Sequence, residues 1–494
     1  MMLEYIHVIA VIIIPLVTAS LVMLVQNPTV VAWVSLTGSV ATSAVLFWIV
    51  KQVAAYGAFQ QGMFLVDSLS ALFLIILGIL LFTVSLFSQY YMKFEWQMGH
   101  IDAKMVPRYY ALLQLFFMTM ILTLVVENLG MLWVAIEATT LVSALLVAYY
   151  SNRSSLEAAW KYVMVCCVGI TLALLGTILL YYAQVQAGPA EAQPLSWLDL
   201  YKEASHFNPA LVKLAVGFLI IGYGTKAGLA PMHTWLPDAY SQAPTPISGV
   251  LSGGLMSCAV YAIIRNMAII NQIPEVAGVA GQLLTAFGVF SIGIAVPFLL
   301  LQHNVKRLLA YSSVENTGLI VIGIGSGSTL GIYGALLHII NHAVGKSALF
   351  FITGLIIQQY HTKTIMRIKG VLSAYPALGS LFVLLLLAVS GLPPFGLFLS
   401  KLTIIQSMFQ DGWFLGLLTL LLLGGVFAGM VYYMLRMVFG APPSTREKRR
   451  ISPGMLSAIL LSLALLLATG VYVPEWLDGL LRGAVEIVTG GVRK

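Results

Sequence analysis

The chain has 494 residues, 60% of them hydrophobic and only 9% charged, with a mean hydropathy of +0.95 and a net charge of +7. A soluble chain of this length carries about 25% charged residues, so this one lacks the polar side chain needed to solvate a large globule. That excludes a soluble multidomain enzyme, a disordered hub and, despite a pI near 9.1, a nucleic-acid binder.

The first 25 residues, MMLEYIHVIAVIIIPLVTASLVMLV, carry Glu4 and no basic leader before a long apolar run, which predicts a retained first helix and not a cleaved signal. A spanning helix needs about 20 mostly apolar residues. In chain order the predicted spans are 4–26, 29–50, 68–90, 109–126, 129–150, 157–184, 210–231, 245–268, 276–302, 306–326, 329–357, 375–398, 412–439 and 454–472, about fourteen in all. These runs are long, unlike the ten-residue alternations of a barrel, so the fold class is an all-α polytopic membrane protein. Connections are short except at 91–108, 185–209 and 440–453, so residues 1–494 read as a single transmembrane domain.

Basic residues gather on the cytoplasmic side of a membrane. Odd-numbered connections hold fifteen of the 25 Lys and Arg residues, whereas even-numbered connections and the termini hold seven, among them Arg265. Both termini are therefore expected on the periplasmic or outer side of a prokaryotic inner membrane. The cluster at 446–450 reads as a solvated inner loop touching anionic phospholipid. Lys306 and Arg307 belong to the same side.

Three lysines fall inside apolar spans instead: Lys226, Lys346 and Lys401. Glu137 (LWVAIEATTLVSALL) and Glu315 (YSSVEN) join them, and His338, His342 and Lys346 recur at i, i+4 and i+8 on one helix face. A charge at mid-membrane costs several kcal/mol, so such residues default to a transport or relay role. A buried lysine loses proton affinity through desolvation and regains it beside a carboxylate, which makes a Lys–Glu pair a usable switch.

Two spans are interrupted. GYGTKAGLAPMHTWLPDAY places Lys226 before Pro231, and AVSGLPPFGLFLSKLTII places Pro393 and Pro394 before Lys401. Proline removes a helix donor, and irregular backbone at membrane depth survives only against protein or a water-filled cavity. Broken helices in corresponding positions point to an inverted-repeat transporter. The seventh and twelfth spans are five apart, so spans 4–8 (109–268) and 9–13 (276–439) form two inverted five-helix repeats, flanked by 1–108 and 454–494.

His233 and Asp238 follow the first break, as relay-associated polar groups or as its caps. Trp133, Trp160 and Trp235 read as interfacial anchors. Cys166, Cys167 and Cys258 lie in apolar runs without paired spacing and read as core. No zinc spacing, phosphate loop or flavin fingerprint occurs, so no metal, no cofactor and no redox centre is expected.

Taken in order, WVAIEATTLVSA, LEAAWKYVMV, TKAGLAPMHTWLPDAYSQAPTPIS, NVKRLLAYSSVEN, HIINHAVGKSALFF and GLPPFGLFLSK resemble the antiporter-like proton-translocating subunits shared by respiratory complex I, group 4 membrane-bound hydrogenases and Mrp cation antiporters. WVAIEATTLVSALLVAYY and YSSVENTG are most similar to component F of the hydrogenase-4/formate hydrogenlyase type. The resemblance implies that Glu137 pairs with Lys226, that central charges pass the proton across, and that Lys401 serves the second broken helix. It implies partners too: further antiporter-like and small ion-channel membrane subunits, with a peripheral redox arm. Relatives often carry Lys in the eighth span where this chain has Ser257, so the link between halves is expected to run through water, the histidines or Glu315. The competing readings are an Mrp-type Na⁺/H⁺ antiporter subunit and a membrane partner of a bicarbonate-uptake system.

Overall fold

The computed structural model describes residues 2–188, 193–442 and 451–491, almost all of them helical. α1 (Met2–Leu24) and α2 (Pro28–Tyr56) lead through a hairpin of β1 (Phe59–Gln61) and β2 (Phe64–Val66) into α3 (Ser68–Gln97), α4 (Met105–Val125), α5 (Leu129–Val147) and α6 (Arg153–Ala187). Then come α7 (Trp197–Glu203), α8 (Pro209–Ala227), α9 (Trp235–Gln242), α10 (Thr245–Val250), α11 (Met256–Ile270), α12 (Pro274–Leu300), α13 (Val305–Gly325) and α14 (Thr329–Tyr360). α15 (Val371–Ala374), α16 (Pro376–Ser390), α17 (Gly396–Asp411), α18 (Trp413–Val438), α19 (Pro453–Val471) and α20 (Glu475–Thr489) complete the chain. Asn27, Asp67, Asn128, Asn152, Asn208, Asn304 and Ser328 accept hydrogen bonds from first-turn amides, which fixes where these helices begin.

Among the described residues thirteen helices are long and apolar enough to cross a membrane, counting α8–α9 and α10–α11 as one each. α16 is apolar but shorter, and with α17 it forms the second broken helix. Each of these interrupted spans is two half-helices, and together they run further than the expected 210–231 and 375–398, to Gln242 and Asp411. Gly228 (φ +82°) and Gly391 (φ +87°) end the first halves in the left-handed region that glycine tolerates, and the prolines beyond cannot resume the ladder. Neighbouring helices pack against both breaks. Ser291 Oγ accepts from the Ala230 amide at 2.9 Å, and Gly470 of α19 lies directly against the Pro394 carbonyl.

α10–α11 and α14 are wholly buried at the centre, joined through a π-helical segment, Leu251–Leu255, in the former. α6, α12, α18 and α19 present mostly apolar side chains outward, among them Leu156, Val168, Leu421 and Leu460. α12 and α13 touch backbone to backbone, Gly281 against the Gly325 carbonyl and Gly288 against the Gly318 carbonyl, where any Cβ would collide.

Hydropathy does not reveal α7 or α20. α20 docks by accepting bonds at the Val488 carbonyl from Asn271 and at the Ile487 carbonyl from Tyr201. The basic cluster at 446–450 and Glu4 lie outside the residues whose side chains are described.

Candidate functional site

The first cluster forms where α5, α6 and α8 meet. Lys226, in the last turn of α8, is 1% exposed and donates from Nζ to Thr140 Oγ1 at 2.6 Å and to the Tyr162 hydroxyl at 2.8 Å. Thr140 in turn donates to Glu137 Oε2 at 3.1 Å. Glu137 and Lys226 therefore make no direct ion pair; one threonine hydroxyl joins them. The expected pair is corrected to a bridged one. Tyr162 also exchanges a hydrogen bond with Ser143 at 2.7 Å, and its ring lies under the ammonium at 4.9 Å. The carbonyl end of α8 favours a cation electrostatically, so Lys226 is held by neutral partners and a helix terminus.

Two sequence expectations change here. Cys167 is not inert core, because its thiol donates to Glu137 Oε1 at 3.0 Å. Trp235 is not an interfacial anchor, being 1% exposed, with its ring tilted against Tyr162 at a centroid distance of 4.6 Å and its Nε1 donating to the Thr225 carbonyl. It plugs the break below Lys226. Trp160 is exposed, as an anchor should be.

The second cluster joins α13, α14 and α17. Lys401 Nζ pairs directly with Glu315 Oε1 at 2.9 Å, and its stem runs over Gly391 at the break. Lys401 lies near the amide end of its half-helix, whose dipole repels a cation; a full carboxylate offsets that. Asn316 donates to Glu315 Oε2 and offers its own carbonyl oxygen to His338 Nε2 at 2.9 Å. An amide oxygen can only accept, so Nε2 carries the hydrogen. The other ring nitrogen meets Ser400 Oγ at 2.8 Å. The run Lys401–Glu315–Asn316–His338 is continuous.

Between the clusters the packing is polar but incompletely bonded. Lys346 donates only to the Leu309 carbonyl at 2.9 Å, and neither ring nitrogen of the buried His342 reaches hydrogen-bond geometry. The buried Tyr240 hydroxyl is also unbonded. The Ser257 hydroxyl donates back to the Gly253 carbonyl of its own helix at 2.6 Å. His233 sits against Phe298 and Tyr311, and Asp238 is tied at the surface to Lys161 and Arg307, so these two anchor the far end of the first broken helix.

Sequence reasoning missed one buried ion pair. Arg265, assigned to a loop, is 3% exposed and makes a bidentate bond to Asp67 at 2.6 and 2.7 Å, reaching Ser70 and Tyr261 as well. Among the described residues no group of three or more His, Cys, Asp or Glu could hold a metal ion.

Residues 126–428, which carry both clusters, match the model of the family described as NADH:quinone oxidoreductase/Mrp antiporter, TM. The chain belongs to that family. It is 38% identical over 421 residues to a hydrogenase-4 component F homolog of Methylacidiphilum infernorum, covering 84% of this chain and 87% of that one. A chain of the Mrp complex from Dietzia sp. DQ12-45-1b superposes with a TM-score of 0.85 at 19% identity, over 99% of this chain and 98% of that one. A chain of respiratory complex I from Thermus thermophilus gives 0.75 at 25% identity, over 96% and 100%. This antiporter-like family member is thus a multi-pass membrane subunit, as its motifs lead one to expect.

Proposed function

We propose that this chain translocates protons as one subunit of a membrane oxidoreductase whose electron chemistry resides in partner subunits. The observation that carries the reading is the contrast between the two broken helices. Lys226 is bonded to hydroxyls with its carboxylate one threonine away, whereas Lys401 is clasped by Glu315. One lysine rests on neutral hydroxyls and the other on a carboxylate, so the two sites stand in opposite halves of one cycle. Closing Glu137 onto Lys226, and opening Glu315 from Lys401, exchanges their roles. His338, His342 and Lys346 carry the proton between them, with water completing the bonds that Tyr240 and His342 lack. His233, Asp238 and Ser257 stand outside this path.

The two broken helices support repeats at 109–268 and 276–439, and the basic odd connections support a cytoplasmic odd face with both termini outside. Glu137 is half-buried beside outward-facing Leu141 and Leu145, which supports a neighbouring membrane subunit against α5. Phospholipid covers the remaining apolar surface. Glu137→Gln and Lys226→Ala are expected to abolish proton translocation in reconstituted vesicles while the complex still assembles. Full translocation in either variant refutes the mechanism, and Na⁺-dependent transport without an electron donor would favour the sodium antiporter reading.

A further inference from the structure

A second set of buried charges lies away from both lysine clusters. At the odd-connection face a cavity of about 470 Å³ is lined by Glu95, Tyr150, Lys306, Gln358 and Lys363, with His100 at its rim. Glu95 is 6% exposed and accepts from Gln358 at 3.2 Å, from Tyr150 at 3.4 Å and, through its other contact, from His100 at 3.1 Å. Lys306 is 1% exposed and its Nζ donates to a single acceptor, the Ala243 carbonyl, at 2.6 Å. Lys363 likewise donates to the Ser241 carbonyl at 2.9 Å. A carboxylate and two lysines desolvated around one polar cavity, without a mutual ion pair, are more than packing requires.

The cavity does not end blind against apolar packing. Beyond Thr245 in its wall, small and hydroxyl residues of three central helices follow one another inward. Ser347 donates to the Gly249 carbonyl at 3.0 Å, Ser252 and Ser313 share a hydrogen bond of 2.8 Å, and Lys346 reaches the Leu309 carbonyl one turn above Lys306 on the same helix. Gly253 lies against the Ala343 carbonyl and Ser347 Oγ, so this stack is tight and polar. It arrives at Lys346 and His342.

We infer that this cavity is the proton entrance from the odd-connection side, with Glu95 as first acceptor and Lys306 as first buried base, and that it feeds the central Lys346 and not Lys226. The inference rests on the relay proposed above. A proton from bulk water is taken by the Glu95 carboxylate and handed to a neutral Lys306 amine. Lys306 then passes a proton inward along the seryl stack to Lys346, and each group returns to its starting charge.

The test uses the intact complex in sealed vesicles. Glu95→Gln and Lys306→Met are each expected to lower the initial translocation rate by about tenfold or more, a barrier rise of roughly 1.4 kcal/mol, and Lys401→Met serves as the relay control. If Lys401→Met alone is defective, the entrance is elsewhere; if all three are active, the relay itself fails. Thr245→Cys, in the inner wall of the cavity, and Thr362→Cys, with Cys166, Cys167 and Cys258 replaced by alanine, test access independently of pumping. A membrane-impermeant methanethiosulfonate is expected to label both from the odd-connection side. Labelling of Thr362→Cys without Thr245→Cys, or of Thr245→Cys only from the opposite side, overturns the inference.

Discussion

Thr140→Val is the most direct probe of the first cluster, because it removes one hydroxyl and almost no volume. In the native protein that hydroxyl takes a 2.6 Å bond from the Lys226 ammonium and gives a 3.1 Å bond to Glu137. A hydrogen bond to a charged group contributes about 1.5–3 kcal/mol, and a buried charged donor left short of a partner costs at least as much. Tyr162 still holds Lys226 in the variant, so folding survives and the loss falls on proton exchange. The expected result is a decrease of about ten- to a hundredfold in the initial proton-translocation rate. The assay is fluorescence quenching of a pH-sensitive dye in vesicles containing the whole complex, with electron transfer measured in parallel. Thr140→Ser keeps the hydroxyl and is expected to retain most of the rate. A Thr140→Val complex that pumps at the native rate would show that the bridge has no part in gating.

Two further outcomes follow from groups near the termini. Arg265→Leu leaves Asp67 charged and buried, which is expected to destabilise the protein by about 3–5 kcal/mol, whereas adding Asp67→Leu recovers much of that loss; thermal unfolding of the detergent-solubilised single and double variants reads the difference. The Arg482 guanidinium, aided by the Tyr333 hydroxyl, holds the Asp478 carboxyl below the ordinary carboxylate range. A lowered value means the latch on α20 is complete at neutral pH and is lost as the pH falls below about 4. Amide protection in α20, taken relative to the intrinsic exchange rate at each pH, should therefore fall in acid, and Asp478→Asn should show the same fall at neutral pH.

Much of this architecture is legible from apolar runs, because lipid demands an unbroken helix about 20 residues long and few sequences meet that by accident. Lys226, Lys346, Lys401, Glu137 and Glu315 stand out for the same reason: in such runs a charge needs a function. What escapes are partners distant in sequence. Arg265 and Asp67 are separated by 198 positions, and a polar residue at a helix end looks like loop until the fold buries it. Thr140 and Trp235 are ordinary residues for their surroundings, and only the packing of α5, α6 and α8 turns one into a bridge and the other into a plug. Lys306 sits at a helix start beside Arg307, where charge counts as topology; the structure turns Arg307 outward and Lys306 into the cavity wall. α20 is too short and too amphipathic to register as a span.

The glycine seam between α12 and α13 limits how such a protein can work. Where Gly288 meets the Gly318 carbonyl and Gly281 meets the Gly325 carbonyl, main chains are already in contact, with no side-chain cushion to slide over. The seam lies inside the second of the two proposed repeats, so α12 and α13 move as one body in any rearrangement, whether one bundle rocks against another or a single side chain swings. In the cycle proposed above the lysines at the broken helices are the moving parts, and this fused pair of helices belongs to the frame around them.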